Sequence, residues 1–216
     1  MNTLIKVFVY AVYSGLIILF NICLALFIVI QPWFVRYEYA KSSVAPEPAA
    51  LITLSYLKTT GSPDQTLKLL QPFYSTSEIA HLQAVKQLTD LARLALPFAG
   101  LSLIGLLAFA KTRRGRLLVT GGLVNLGLIG LIFLLIQFAW APFFIGFHEV
   151  IFPQGNWAFP ESSLLIRLFP ETFWQTAFLV VGLFITIFSF IEFLSGLILN
   201  RIYKPPHLTR SLNYKP

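Results

Sequence analysis

Four long apolar stretches dominate the pattern of hydrophobic and polar residues, and two polar loops and a short basic hairpin separate them. They cover about residues 7–30, 94–110, 117–140 and 173–199. A helix needs about 20 mostly apolar residues to cross the roughly 30 Å hydrocarbon core of a bilayer. The pattern therefore predicts an all-α fold, a single integral membrane domain over residues 1–216 with four transmembrane helices.

Composition confirms the membrane class, and the distribution of charge predicts how the fold is oriented in the membrane. Of the 216 residues, 56% are hydrophobic and only 12% are charged, which excludes a soluble globular domain. The hairpin 111–116 and the tail after Leu199 are basic, whereas the loop 141–172 has Arg167 alone against three acidic residues. Because cytoplasmic loops are enriched in Lys and Arg, we expect both termini in the cytoplasm and the loops 32–93 and 141–172 outside. The basic residues are not interleaved with aromatic ones, so we expect no nucleic-acid partner.

The first outer loop is too long to be a plain connector, and it carries two helix signals. Residues 46–59 start with proline, have apolar residues on one side and precede a Gly-Ser-Pro turn, so they predict a helix that lies on the membrane surface or over the second loop. Ser75 and Glu78 have the spacing of a capping box, which predicts a second helix that continues into the second span. This helix carries His81 on the same face as Glu78.

The second outer loop is rich in aromatic residues and prolines, which is typical of a loop that lies in the membrane interface or re-enters it. It contains His148 and Glu149, but Phe152 replaces the second histidine of an HExxH zinc motif. His207 lies in the tail, and Cys23 is the only cysteine. We therefore expect neither a catalytic metal site nor a disulfide.

Several polar residues have both a structural and a functional explanation. Asn156 either serves a turn or hydrogen-bonds a substrate. Trp157 either anchors the loop in the interface or lines a site, and Arg167 either reaches lipid phosphate or holds a polar part of a substrate. Glu192 lies within the fourth span, where a carboxylate is by default a functional hypothesis. We expect it instead to pair with Arg201 near the cytoplasmic side.

Five short features of the sequence combine into a pattern. They are Glu78-x-x-His81-Leu82 before the second span, the basic hairpin, Phe147-His148-x-x-x-Phe152, Trp157-x-Phe159 and Phe169-Pro170-Glu171. Taken together, they resemble the bacterial lipoprotein intramolecular transacylase family. The resemblance covers nearly the whole chain. It leads us to expect a polar residue three positions after His81, where this chain has Ala84.

This resemblance implies an enzyme of the bacterial cytoplasmic membrane with its active site on the outer side. Members of the family move the sn-2 acyl chain of a diacylglyceryl-cysteine lipoprotein onto the α-amine of the same cysteine, which gives a lyso-form lipoprotein. The implied partners are a diacylglyceryl lipoprotein and membrane lipids, and no cofactor is implied. The match gives His81 and His148 as the catalytic pair.

The chemistry of the outer-loop residues is compatible with that reaction. A neutral imidazole with a pKa near 6.5 is a suitable base for an amine whose pKa is about 8, so either His81 or His148 would take the proton. The other histidine, or Asn156, would hydrogen-bond the developing oxyanion. We expect Glu78 to orient His81. The full set of substrate-binding or supporting candidates is Glu78, Asn156, Trp157 and Arg167.

The competing hypothesis is a non-enzymatic membrane protein, a lipid-binding or scaffolding subunit whose aromatic loop docks on a partner. The two hypotheses differ in where they place two side chains. An enzyme requires His81 and His148 in one groove, whereas a scaffold leaves them on different surfaces.

Overall fold

Helices are the regular elements of the chain in the parts that the structure describes. The computed structural model describes residues 3–41, 47–60 and 64–202. A short 3₁₀ turn, Lys111–Arg113, joins the fifth and sixth of the α-helices. The α-helices are α1 (Thr3–Val29), α2 (Pro32–Lys41), α3 (Pro48–Lys58), α4 (Asp64–Leu70), α5 (Thr76–Ala110), α6 (Arg114–Phe138), α7 (Trp140–Ile151), α8 (Leu164–Leu168) and α9 (Glu171–Ile202).

Four helices, α1, α5, α6 and α9, are long and apolar enough to cross a membrane. They match the four predicted spans, so the all-α fold with four transmembrane helices is confirmed. The helix α5 starts at Thr76, well before residue 94, because a capping box begins it in the outer loop. The helix α1 packs against the other three spans, and α6 packs along α9.

Glycine allows α6 and α9 to approach closely. A Cβ atom on Gly122 of α6 would stand 2.7 Å from the carbonyl oxygen of Ser189, and one on Gly196 of α9 would stand 2.7 Å from the backbone nitrogen of Val119. Such distances leave no room for a side chain. Small residues at helix contacts are the usual means of close packing in membranes, and they hold these two helices in one register.

A polar group lies between three of the spans. The side chains of Asn21 in α1 and Asn125 in α6 lie beside the carboxyl group of Glu192 in α9. Both asparagines are buried. Arg201 is exposed at the end of α9 and makes no ion pair with Glu192. The expected pair with Arg201 is therefore wrong, because amide groups from neighbouring helices lie nearer to the carboxylate.

The two long loops between the spans form a cap with a common hydrophobic core. The cap consists of α2, α3, α4 and α8 with the first turns of α5 and α9. The helix α3 confirms the prediction over residues 46–59, although Pro46 and residues 61–63 lie outside the described residues. The core includes buried side chains from every one of these helices, among them Phe34, Leu54, Leu70, Leu82, Leu165 and Phe173.

Polar contacts fasten the cap to the spans. The hydroxyl of Tyr39 in α2 donates to the carbonyl oxygen of Leu168 in α8, at 3.1 Å. The guanidinium of Arg93 in α5 donates to the carbonyl oxygen of Lys58, at 3.2 Å, and so satisfies the C-terminal end of α3. The first bond joins α2 to α8 within the cap, and the second joins α3 to α5, which carries the first histidine.

Candidate functional site

The capping box sets the position of His81. The Ser75 hydroxyl accepts a hydrogen bond from the backbone nitrogen of Glu78, and the Glu78 carboxylate accepts one from the backbone nitrogen of Ser75, at 2.7 Å. This confirms the predicted capping box. His81 therefore lies in the second turn of α5, where its side chain points into the cap and is only 8% exposed.

The expected contact between Glu78 and His81 is not formed. Its carboxylate turns back to the start of α5, where it also accepts from the Ser75 hydroxyl, and its second oxygen accepts from the backbone nitrogen of Leu165, at 2.8 Å. Three donors thus occupy the two oxygens, and the residue is buried. Because Leu165 belongs to α8, Glu78 joins the start of α5 to the second outer loop.

The helix α7 carries His148, in a segment for which the sequence predicted an aromatic loop in the membrane interface or re-entering the membrane. The chain is helical from Trp140 to Ile151. The Nδ1 atom of His148 lies 2.8 Å from the carbonyl oxygen of Phe144, one turn earlier. A carbonyl oxygen can only accept, so Nδ1 carries the proton and donates it. The neutral ring therefore keeps its lone pair on Nε2.

The two histidines lie together. The ring centres of His81 and His148 are 6.3 Å apart. Aromatic rings enclose them: the ring of Phe152 lies 4.9 Å from His81, and that of Phe159 lies 5.6 Å from it. The Nδ1 atom of His81 is buried and has no hydrogen-bond partner within the described ranges. A group that satisfies this nitrogen must come from a ligand or water.

Asn156 and Trp157 lie at the same site. The Trp157 ring is 5.0 Å from the ring of His148. The Asn156 side chain lies close to the ring of His81. Gly155, with φ at +74°, allows the tight turn that brings both residues over the histidines. The functional explanations of Asn156 and Trp157 are thus favoured over turn formation and membrane anchoring alone.

Arg167 is not brought to the histidines. It is exposed on α8 and does not line the groove around them. Its helix begins with Ser163, whose hydroxyl accepts from the backbone nitrogen of Ile166, at 3.3 Å. The same helix buries Leu165 and Leu168 in the cap core. The periodicity of this short helix therefore turns Arg167 outward.

Both histidines line one apolar groove with a cavity volume of about 120 Å³. Thr53 also lines the groove. Its hydroxyl is already satisfied, because it forms hydrogen bonds with the Ala49 carbonyl oxygen and with the Tyr74 hydroxyl, each at 2.8 Å. A shared groove is the arrangement that the enzyme hypothesis requires and the scaffold hypothesis does not. Most of the wall is hydrocarbon or aromatic, from Val29, Leu54, Leu57, Leu82, Val85, Phe144, Trp157, Phe159, Leu165, Phe169, Phe173 and Trp174.

Burial keeps His148 uncharged near neutral pH. Removal from water lowers the pKa of His148 below its usual value of 6.5, and the hydrogen bond to the Phe144 carbonyl acts in the opposite direction. A neutral imidazole with a free Nε2 is a proton acceptor. In the described part of the chain, no group of three His, Cys, Asp or Glu side chains is placed to hold a metal ion.

The sequence motifs missed two features of this site. The hydrogen bond to the Phe144 carbonyl, which fixes the tautomer of His148, can be predicted only if α7 is recognised as a helix. The contact between Glu78 and Leu165 joins residues 87 positions apart, and the spacing of local motifs carries no signal for it.

Comparisons with known proteins agree with this geometry. The family model of the lipoprotein intramolecular transacylase Lit matches residues 11–174. The fold is similar to a structure of Lit from Bacillus cereus, with a TM-score of 0.77, 18% identity and coverage of 93% of this chain and 98% of that chain. Two structures of the same Bacillus cereus protein, with one histidine replaced by arginine or by alanine, have a TM-score of 0.72 and 17% identity. They cover 91% of this chain and 92% and 94% of theirs.

No curated protein sequence matches the chain. The family model, however, covers well over half of its residues, including both histidines, and the four spans and the cap have the fold of the Bacillus cereus structures. The chain is therefore a member of the lipoprotein intramolecular transacylase family.

Proposed function

We propose that the chain transfers the sn-2 acyl chain of a diacylglyceryl lipoprotein to the α-amine of its N-terminal cysteine. The bond between the acyl carbon and the glyceryl oxygen breaks, a bond between the acyl carbon and the amine nitrogen forms, and the amine proton moves to the glyceryl oxygen. The observation that carries this proposal is the pair His81 and His148 in one buried apolar groove.

His148 acts as the general base and then as the general acid. Its Nδ1 is engaged with the Phe144 carbonyl, so Nε2 takes the proton from the attacking amine. The same nitrogen returns the proton to the glyceryl oxygen as that oxygen leaves. A histidine that is neutral at working pH suits both steps, and such positioned proton transfer contributes about 10²- to 10⁴-fold to the rate.

His81 stabilises the oxyanion. Its buried Nδ1 lacks a partner within the described residues, and with a proton on that nitrogen the ring would donate to the former carbonyl oxygen. Asn156, beside the same ring, holds His81 or donates alongside it. Trp157 packs on His148 and closes the groove, while the exposed Arg167 has no part in the proton transfers.

The acyl group moves directly from oxygen to nitrogen, without an acyl-enzyme. Two hydroxyls near the groove already serve as helix caps, because Ser75 caps α5 and Ser163 caps α8. The amine and the ester belong to one molecule, so the enzyme mainly needs to hold them in attack geometry. Such positioning supplies about 7 to 11 kcal/mol of the barrier.

The function is tested by mass spectrometry of a lipoprotein's N-terminal peptide, from bacteria with and without this chain. We expect N-acyl-S-monoacylglyceryl-cysteine only in cells that express it. Diacylglyceryl-cysteine with a free amine in both strains would refute the transacylase activity.

The proposed pH dependence follows from the pKa of His148. The substrate amine must be neutral, so log kcat/KM should rise with slope one up to the pKa of the amine, about 8. An ordinary histidine base would add a second slope below about 6.5. Because burial lowers the pKa of His148, we expect a single slope through pH 6.5 and a steeper fall only at lower pH. Besides the break near pH 8 that belongs to the amine, a second break, from slope one to slope two, at pH 6.5 or above would contradict a buried base.

The proposed orientation places the histidine groove outside the bacterial cytoplasmic membrane and the hairpin 111–116 inside. Cys23 is buried, so the unchanged chain should resist a membrane-impermeant thiol reagent. In intact cells we expect the reagent to label Glu161→Cys, which is exposed in the second loop, but not Arg116→Cys, which is exposed at the end of the hairpin. Labelling of Arg116→Cys before the cells are permeabilised would contradict the proposed orientation.

A further inference from the structure

A second apolar cavity lies between α6 and α9. This crevice has a volume of about 370 Å³ and is lined by Ile129 and Phe133 from α6 and by Leu183 from α9, among other side chains. Its hydroxyl-bearing residue, Thr186, donates to the carbonyl oxygen of Gly182 in its own helix, at 2.8 Å. With that hydroxyl satisfied and the remaining walls made of hydrocarbon, the crevice suits an alkyl chain and not water.

The crevice begins where the wall of the histidine groove ends. Trp174 lines the groove and Phe178 lines the crevice, and these residues lie on one face of α9, about 6 Å apart along the helix axis. The rings of His148 and Phe147 are 5.2 Å apart, and those of Phe147 and Phe178 are 5.4 Å apart. Two aromatic rings therefore link His148 to the outer end of the crevice.

The crevice has a limited depth. Along α9 its lining runs from Phe178 to Thr186, which is about 12 Å at 1.5 Å per residue. The groove around the histidines is only about a third as large. A substrate with two long acyl chains and an ester at the histidines needs more apolar space than that groove offers.

We propose that the crevice between α6 and α9 holds one acyl chain of the diacylglyceryl substrate while the reacting ester lies at the histidine pair. This assignment rests on the proposed function and adds a specificity-determining site to it. The depth of the crevice then selects the length of the bound chain.

Two glycines of α6 provide a matched test. A Cβ atom on Gly130 or on Gly127 would meet no atom within 4 Å, so leucine fits the backbone at either position. Only Gly130 lines the crevice. We expect Gly130→Leu to lower kcat/KM for a dipalmitoylglyceryl lipopeptide about tenfold relative to a dihexanoylglyceryl one, because it displaces about two methylene groups of a long chain. Gly127→Leu should leave this ratio unchanged.

A widening variant keeps the test independent of how well Gly130→Leu folds. Phe133→Ala enlarges the same crevice and should shift the preference toward longer chains, measured as the ratio of distearoyl to dipalmitoyl substrate. Chain-length ratios equal to those of the unchanged protein in both crevice variants would mean that only bulk lipid fills the crevice, and this would overturn the assignment. Absence of lyso-product from the unchanged protein with every lipopeptide would instead refute the transacylase activity, and the assignment with it.

Discussion

Replacing His148 by alanine should lower the rate of lyso-lipoprotein formation by about 10²- to 10⁴-fold. The variant loses the Nε2 atom that accepts the amine proton, while the groove itself is built mainly by other side chains. The measurement is the initial rate of conversion of a diacylglyceryl lipopeptide by purified protein. A folded His148→Ala variant with the rate of the unchanged protein would refute the assignment of the base.

His81→Ala distinguishes the two histidine roles. Loss of an oxyanion donor costs about 10²- to 10³-fold in kcat, but the base and its pKa belong to His148. The acidic limb of the pH–rate profile should therefore keep its shape at a lower overall rate. His207→Ala serves as the control, because His207 follows the last span and is expected in the cytoplasm.

Replacing Glu78 by alanine should destabilise the cap and slow the reaction. The change removes the acceptor for the backbone N–H groups of Ser75 and Leu165. The N–H of Leu165 is buried, and a buried donor left unpaired costs about 1 to 3 kcal/mol. A loss of this size lowers the Tm by several degrees in a protein of this length, at about 2 to 4 °C per kcal/mol. Thermal unfolding in detergent measures the effect.

A matched control exists for this substitution. Glu149 is an exposed carboxylate next to His148, and Glu149→Ala should change neither Tm nor rate. Glu78→Gln keeps one acceptor oxygen and should recover part of the lost stability. Glu78 acts through the position of α8 and not on the base. Glu78→Ala should therefore lower kcat but leave unchanged the pH at which the acidic limb of the pH–rate profile steepens. A Glu78→Ala variant as stable as the unchanged protein would show that the link to α8 is dispensable.

Local signals predicted much of the fold. The four spans follow from long apolar stretches, and the capping box at Ser75 follows from two residues three positions apart. The helix over residues 140–151 was not predicted, because its aromatic residues, glycine and proline have low helix propensity. Contacts such as the packing of Phe143 and Phe147 on Phe178 outweigh that propensity, and a single sequence does not display them.

The candidate site was only partly predicted, because it too depends on contacts between residues that are far apart in the sequence. The resemblance paired His81 with His148, and the structure brings their rings together. Of the two contacts predicted for Glu78, the one with Ser75 is confirmed and the one with His81 is wrong. Spacing along α5 favours His81, whereas the second oxygen of the carboxylate accepts from Leu165 in α8. Arg167 was ambiguous from its charge alone, and the burial of Leu165 and Leu168 decides which way it faces.

The core shared by the two outer loops affects the order in which the molecule is made. Tyr39 and the carbonyl oxygen that it binds at Leu168 are separated by 129 positions. At a synthesis rate of about 5 to 20 residues per second, this delay lasts on the order of ten seconds. During that interval α2, α3 and α4 have been translated without α8 and the start of α9, and their apolar faces lack their final covering. The newborn chain thus passes through an aggregation-prone stage unless the bilayer surface or a chaperone covers these faces.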